Sequence, residues 1–374
     1  MLTKMYQFLI TPKGVIFIGR CIDMSIYLDN GYINMQKIFE YNAPFTFVIG
    51  ARRTGKTYGA FYNAIMNKDT IPFGIMRRTG GEMEIMTSPE YNPFRELNND
   101  YGWNYGIFGN TATKKRTANV YNQQEKEGIL EPYGEAIAPV FALSTFASVR
   151  GFGGANIDRI IYDEFIPENH VRKIRDEGAA LMNLYETING NRELKGKKPL
   201  QLICLANSNK IDNEVLVSFG LVNTLINNRK RGQEIYYNKK SGILVVDVQN
   251  SPISKKKADT ALYKATKNAK NGFREMALEN EFPEFSKSEY RSLPLYNLNP
   301  VVTVGEITVY KIKGSQQLYC STHKSGDPET YGTSDLELER FGTKYIFIRR
   351  QHLLNNIIFE DINSEILLDK YFTR

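Results

Sequence analysis

The stretch Gly50-Ala51-Arg52-Arg53-Thr54-Gly55-Lys56-Thr57 places glycines five residues apart and follows the second with Lys and Thr. Glycine lets the backbone approach an anion closely and adopt φ values barred to other side chains. Successive N–H groups of such a turn, opening into a helix, can converge on one phosphate with the positive end of the helix dipole behind them. Lys56 would add a point charge for the β- and γ-phosphates, and Thr57 a hydroxyl ligand for Mg²⁺. Residues 50–57 are therefore the candidate cradle for ATP and Mg²⁺. The competing reading is a glycine turn ahead of a helix, with no ligand.

A second constellation, Arg159-Ile160-Ile161-Tyr162-Asp163-Glu164, is an apolar run ending in two carboxylates. Asp163 can hold Mg²⁺, through water, and Glu164 can orient and polarise an attacking water. The second acid points to hydrolysis by a motor-type ATPase rather than phosphate transfer to a small molecule. Asn207, closing another apolar run, can sense the γ-phosphate or form an Asx turn. Two arginines are candidates for stabilising transition-state charge. Arg150 precedes Gly151-Phe152-Gly153-Gly154, and Arg192 lies in Asn189-Gly190-Asn191-Arg192-Glu193. Each reads equally as a surface salt bridge.

These residues need strands to carry them. Continuous apolar runs at 45–49, 73–76, 140–143, 160–162 and 200–206 suit strands buried on both faces of a parallel sheet. Helical stretches at 57–67 and 178–188 lie between them, so the spacing predicts an α/β domain over 1–207. An N-terminal extension (1–30) reads as a hairpin across Thr11-Pro12-Lys13-Gly14. The polar segment 208–240 reads as a linker or lid subdomain. Residues 241–374 read as a second, α+β domain, with strands at 243–248, 306–311, 317–321 and 344–349 and a helix at 361–372. Between these, 254–280 reads as a basic helix with Lys264, Lys267, Lys270 and Arg274 largely on one side. Lys255-Lys256-Lys257 precede that stripe and Arg229-Lys230-Arg231 lie in the linker. The pattern suits either contact with a phosphate backbone or a solvated face.

The net charge of +7 and pI near 9.0 are compatible with a polyanionic partner. Cys21, Cys204 and Cys320 are widely spaced and read as buried or free thiols. His170, His323 and His352 are too scattered for a zinc site. No apolar run reaches membrane-spanning length, so no membrane partner is expected.

Taken together, these residues resemble the genome-packaging motor ATPases of small short-tailed bacteriophages, the phi-twenty-nine-like, terminase-related group. The likeness rests on Phe47-Val48-Ile49-Gly50-Ala51-Arg52 with Gly55-Lys56, on Asp163-Glu164-Phe165-Ile166 and on Leu181-Met182-Asn183-Leu184. Asn191-Arg192-Glu193 and Cys204-Leu205 with Asn207 extend it. It covers about residues 33–210 and only weakly 272–282. The resemblance implies an ASCE-type ATPase ring, usually of five subunits, that drives double-stranded DNA through a portal into a procapsid. Such a motor works in the infected host's cytoplasm and is absent from the mature virion; whether a structural RNA joins it is left open. It implies that Arg150 acts in trans. At the second trans position Gly190 stands where the family carries Arg, with Arg192 two residues on. It also implies a C-terminal RNase H-like fold, a vestigial nuclease without its carboxylates. Alternatives are a terminase-like enzyme that also cuts DNA, a non-motor nucleic-acid-binding scaffold, and a small-molecule kinase.

Overall fold

The computed structural model describes residues 7–11, 14–18, 25–110, 117–146, 156–167, 174, 176–207, 213–248, 251–266 and 289–373. Arg150, Gly151–Gly154, Lys267, Lys270, Arg274 and Cys21 lie outside them. The expected hairpin is present as β1 (Gln7–Thr11) and β2 (Gly14–Ile18).

The first large unit opens with α1 (Met35–Phe39), β3 (Phe45–Gly50), α2 (Lys56–Met66) and β4 (Phe73–Arg77). Next come α3 (Gly80–Ile85), α4 (Arg95–Tyr101), β5 (Tyr105–Gly109), β6 (Thr117–Lys126), β7 (Ile129–Ala142) and α5 (Leu143–Phe146). It continues through β8 (Arg159–Asp163), α6 (Glu177–Asn189), β9 (Gln201–Asn207), α7 (Glu214–Ser218), α8 (Val222–Lys230), β10 (Ile235–Asn238) and β11 (Ile243–Val248). Its nine strands form one sheet in the order β10-β11-β3-β9-β8-β4-β7-β6-β5. The six strands from β11 to β7 are mutually parallel, and antiparallel strands close both edges.

Side-chain alternation explains the layering. Val48, Ile75, Ile161, Ile203 and Leu205 enter one core with α1 and α2. Phe47, Ile49, Met76, Ile160, Tyr162, Leu202 and Cys204 enter the other with α6, α7 and α8. Both faces are dry, which is why these strands read as continuous apolar runs. Arg78 is buried beyond the carboxyl end of β4. Glu177, at the start of α6, accepts from its Nε at 2.8 Å and from Tyr162 Oη at 2.8 Å, so a charge-paired network pins α6 to the sheet.

The expected division at 207 and 241 is corrected. β11 pairs in parallel with β3, from Ile243↔Phe45 to Val248↔Gly50, so residues 235–248 complete the first sheet. The apolar face of β11 needs the same two layers as its neighbours, and a polar stretch on its N-terminal side does not sever it.

After β11 come α9 (Pro252–Lys257) and α10 (Ala261–Ala265). The basic helix expected over 254–280 is therefore interrupted at 258–260, and its remainder lies outside the described residues. The C-terminal unit contains β12 (Glu289–Tyr290), β13 (Leu298–Val304), β14 (Ile307–Ile312), β15 (Leu318–Ser321) and β16 (Glu329–Tyr331). It ends with α11 (Asp335–Lys344), α12 (Ile346–Leu353), β17 (Ile357–Phe359) and α13 (Ile362–Thr373). Its sheet runs β12-β17-β15-β14-β13-β16. The strand expected at 344–349 is instead the end of α11 and the first half of α12. Phe341, Tyr345 and Ile348 are buried while Ile346 and Phe347 are exposed, a helical and not an alternating period.

α13 joins the two units. Ile362 and Ile366 pack into the core beneath α8, whereas Leu367, Leu368 and Tyr371 pack into the C-terminal core. Asn223 Nδ2 donates to Asp361 Oδ2 at 2.7 Å across the same boundary. His352 on α12 meets Asp369 at 3.0 Å and Glu365 at 3.2 Å, both on α13. Burial alone would lower this imidazole, but hydrogen bonds to Asp369 and Glu365 lift it to about 9. A folded pKa above the unfolded one stabilises the fold fully below pH ~6.5 and loses that contribution as pH rises through about 9. Denaturant unfolding should show the wild-type advantage over His352→Gln shrinking between pH 6.5 and 9.5; a pH-independent difference would refute the coupling.

Candidate nucleotide-binding site

The carboxyl ends of β3, β8 and β9 bring the predicted residues together. Register places Gly50 opposite Asn207 and Asp163 opposite Leu205. Gly50 has no room for a side chain: a Cβ there would lie 2.6 Å from Val248 Cβ on the adjacent strand. Gly55 caps α2 with φ of 91°, in the left-handed region, and Arg53 shares that region at 57°. The loop between them turns tightly enough to start α2 over the end of β3.

Lys56 is 6% exposed and folds back onto the loop. Its Nζ donates to Ala51 O at 2.8 Å, Gly50 O at 3.1 Å, Thr54 Oγ1 at 3.2 Å and Asn207 Oδ1 at 3.4 Å. Burial pulls the ammonium down to about 7 against the opposing pull of Asp163, and Lys257 adds a repulsion in the same direction as burial. Thr57 Oγ1 donates to Asp163 Oδ1 at 2.9 Å. A hydroxyl and a carboxylate thus face each other beside Lys56, an all-oxygen pair suited to a hard divalent cation.

Arg77, at the end of β4, donates to Asp163 Oδ2 at 2.9 Å and also binds Glu164. Burial raises Asp163 above the ordinary carboxylate range, and the Arg77 guanidinium partly offsets that. Glu164 leaves the strand in left-handed backbone, φ 57°. Arg77 therefore holds both acids that a metal and a water would need. No sequence motif marks Arg77, because its place at the end of β4 meets the two acids only across the pairing of β4 with β8.

Other cavity residues lay outside the predicted set. A cavity of about 1050 Å³ over the loop is lined by Tyr32, Met35, Gln36, Tyr62, Glu96 and Asp100 as well as residues 52–59. The segment after Ser25 is tied to the loop, Ile33 N donating to Thr54 O at 2.9 Å. Lys257 was expected among exposed basic residues; Lys255 and Lys256 are exposed, but Lys257 Nζ donates to Arg52 O and to Arg53 O, the latter at 3.0 Å. Arg192 is not brought to this site. Its Nη1 binds Asp158 Oδ1 at 2.7 Å at the amino end of β8, the far end of the sheet.

Comparison with known proteins fits this arrangement. A family model, Podovirus DNA encapsidation protein (Gp16), matches residues 134–292. The DNA packaging proteins of Bacillus phages PZA and phi29 are each 27% identical over 194 residues, 51% of this chain and 51% of the relative. The chain is similar to phage DNA-packaging proteins. The match spans about half the length of these curated relatives. The fold likeness is longer: the Phi-28 gp11 DNA packaging motor superposes with TM-score 0.61 at 16% identity, covering 92% of this chain and 99% of that one. The bacteriophage Phi-29 viral genome packaging motor assembly gives 0.59 at 17%, covering 91% and 98%. The likeness anticipated over residues 33–210 thus extends, as fold, through the C-terminal unit.

A triphosphate returning full charge to Lys56 must bring it a proton above pH 7. Calorimetric titration of ATP in buffers of differing ionisation enthalpy should show proton uptake at pH 8 but little at pH 6, with affinity falling by up to about tenfold per pH unit above 7. Proton uptake that persists unchanged in Lys56→Met would refute this assignment.

Proposed function

We propose that this protein is an ATP hydrolase that drives double-stranded DNA into a viral procapsid. The observation that carries the reading is the 2.9 Å meeting of Thr57 and Asp163 beside Lys56, with Glu164 next in the chain. The loop amides and Lys56 bind and orient the triphosphate, with Asn207 adjoining the ammonium. Thr57 and Asp163 would hold Mg²⁺, which when bound neutralises the phosphate oxygens. Glu164, released from Arg77, holds the attacking water and accepts its proton. Arg77 keeps the site idle until nucleotide arrives, because its guanidinium neutralises the two carboxylates.

Sequence likeness to DNA packaging proteins and fold likeness to packaging motors support DNA packaging as the work; the homo-oligomeric ring of five subunits, docked on the procapsid portal, is the form that the resemblance implies for it. The working place is then the host cytoplasm. The proposed domains are an ATPase unit that runs on through Val248 and a C-terminal DNA-binding unit. The latter is read as a vestigial nuclease. That reading rests on β14, whose inward side chains Ile307 and Val309 are aliphatic.

Lys56→Ala should lose ATP binding. Glu164→Gln should retain binding while hydrolysis falls about 10²-fold or more, the scale of general-base catalysis. Double-stranded DNA should stimulate the wild type, and no cut DNA should accumulate with Mg²⁺. A hydrolysis rate indifferent to DNA would count against the motor, and cut DNA against the vestigial nuclease.

Arg150 and Arg192 are proposed as charges donated between subunits. Mixtures of Arg150→Ala or Arg192→Ala chains with Glu164→Gln chains should regain hydrolysis for the residue that acts in trans. If neither mixture regains it, the assignment fails for both.

A further inference from the structure

The strands β6 and β7 run on past the sheet. β5 supports β6 only as far as Asn122, opposite Tyr105. Beyond it five pairs, from Asn122↔Tyr133 to Lys126↔Ile129, form a ribbon of two strands. A register shift separates this ribbon from the sheet: one residue, Tyr121, stands against four on β7 (134–137). Gly134 there has φ of +77°. Such a bulge bends the strand pair and re-aims everything beyond it. The arm exposes Ile129 at 71% and Tyr133 at 61%. An isolated two-stranded hairpin is marginal in water, so an arm of this length gains stability from a surface that covers it.

Charge indicates which surface. Glu125, Glu127, Glu131 and Glu135 against Lys126 give the arm a net charge of −3, on a chain of net +7. Because β7 is parallel to β4, the arm leaves the sheet at its amino end, opposite the nucleotide cavity. It also leaves from the β5 side. At the same amino end the other side of the sheet is basic. The β10–β11 turn exposes Lys239 and Lys240, and the loop before β9 exposes Lys195, Lys197 and Lys198. With Glu40 and Glu193 at that level, the rim carries +3. In the strand order β7 lies five spacings from β11 and β6 seven from β10, about 24 and 34 Å at about 4.8 Å each, so the five-pair arm, about 17 Å long, does not reach its own Lys239 and Lys240.

We infer that the arm docks on a second copy of this chain, its acidic tip against the neighbour's Lys239 and Lys240 and its apolar side chains covered in the contact. Opposite patches on opposite edges of one sheet make a heterologous, head-to-tail contact, the kind that closes a ring. The inference rests on the ring proposed above and names the surface that builds it.

Charge exchange tests it. Sedimentation at low ionic strength is run on the wild type, on Glu125→Lys with Glu127→Lys and Glu131→Lys, on Lys239→Glu with Lys240→Glu, and on the chain carrying all five. Each partial set should weaken self-association at least about tenfold, and the full exchange should restore it, because exposed charge pairs at a rim sum to that scale. ATP affinity should be equal in all four, which shows the chains folded and separates this result from any failure of the ATPase reading. Self-association that ignores the reversals, or a fully exchanged chain that does not recover, overturns the inference. So does a wild type that stays monomeric.

Discussion

The site depends on holding one ammonium and one carboxylate out of water in the same pocket. Lys56 and Asp163 are both nearly fully buried, and burial drives each toward its neutral form. Isolated, either charge would cost several kcal/mol to bury. The fold meets that cost with partners supplied by four strands in register. Carbonyls of the loop after β3 and the Asn207 amide at the end of β9 solvate Lys56. Thr57 and the Arg77 guanidinium from β4 solvate Asp163. The parallel order β3-β9-β8-β4 is what makes those ends coincide, and the two dry layers on either face fix the order.

These partners are also what a triphosphate and a metal would replace. On the reading proposed above, the loop carbonyls that hold Lys56 and the guanidinium that holds Asp163 and Glu164 are stand-ins, and nucleotide entry would exchange them instead of creating charges from nothing, keeping the desolvation already done by folding. The proton balance at Lys56 follows from the same exchange.

The amino-acid sequence announces the parts whose chemistry is local in the chain. Residues 50–57 and the pair Asp163-Glu164 are legible because one turn and one strand end build each. Asn207 is legible only as a strand end until register sets it against Gly50. Arg77 and Lys257 were missed as site residues because their roles exist only across strands or between distant segments. Nothing in the neighbours of Lys257 distinguishes it from Lys255 and Lys256. β11 was assigned to the wrong unit for the same reason, since a polar stretch between strands says nothing about which sheet the next strand joins. α12 was misread because Tyr345-Ile346-Phe347-Ile348 is apolar at every position, and its burial period appears only once Phe341 is seen on the same face.

The last helix carries a mechanical corollary. Half of α13 is embedded beneath α8 and half in the C-terminal core, so it behaves as a rivet through two plates. The C-terminal sheet cannot pivot freely about the chain that leads into it. Any tilt must drag α8, which leads into β10 and β11, and β11 pairs with β3, the strand that ends in Gly50. Load applied to the C-terminal unit therefore arrives at Gly50 through packed side chains rather than through a slack tether.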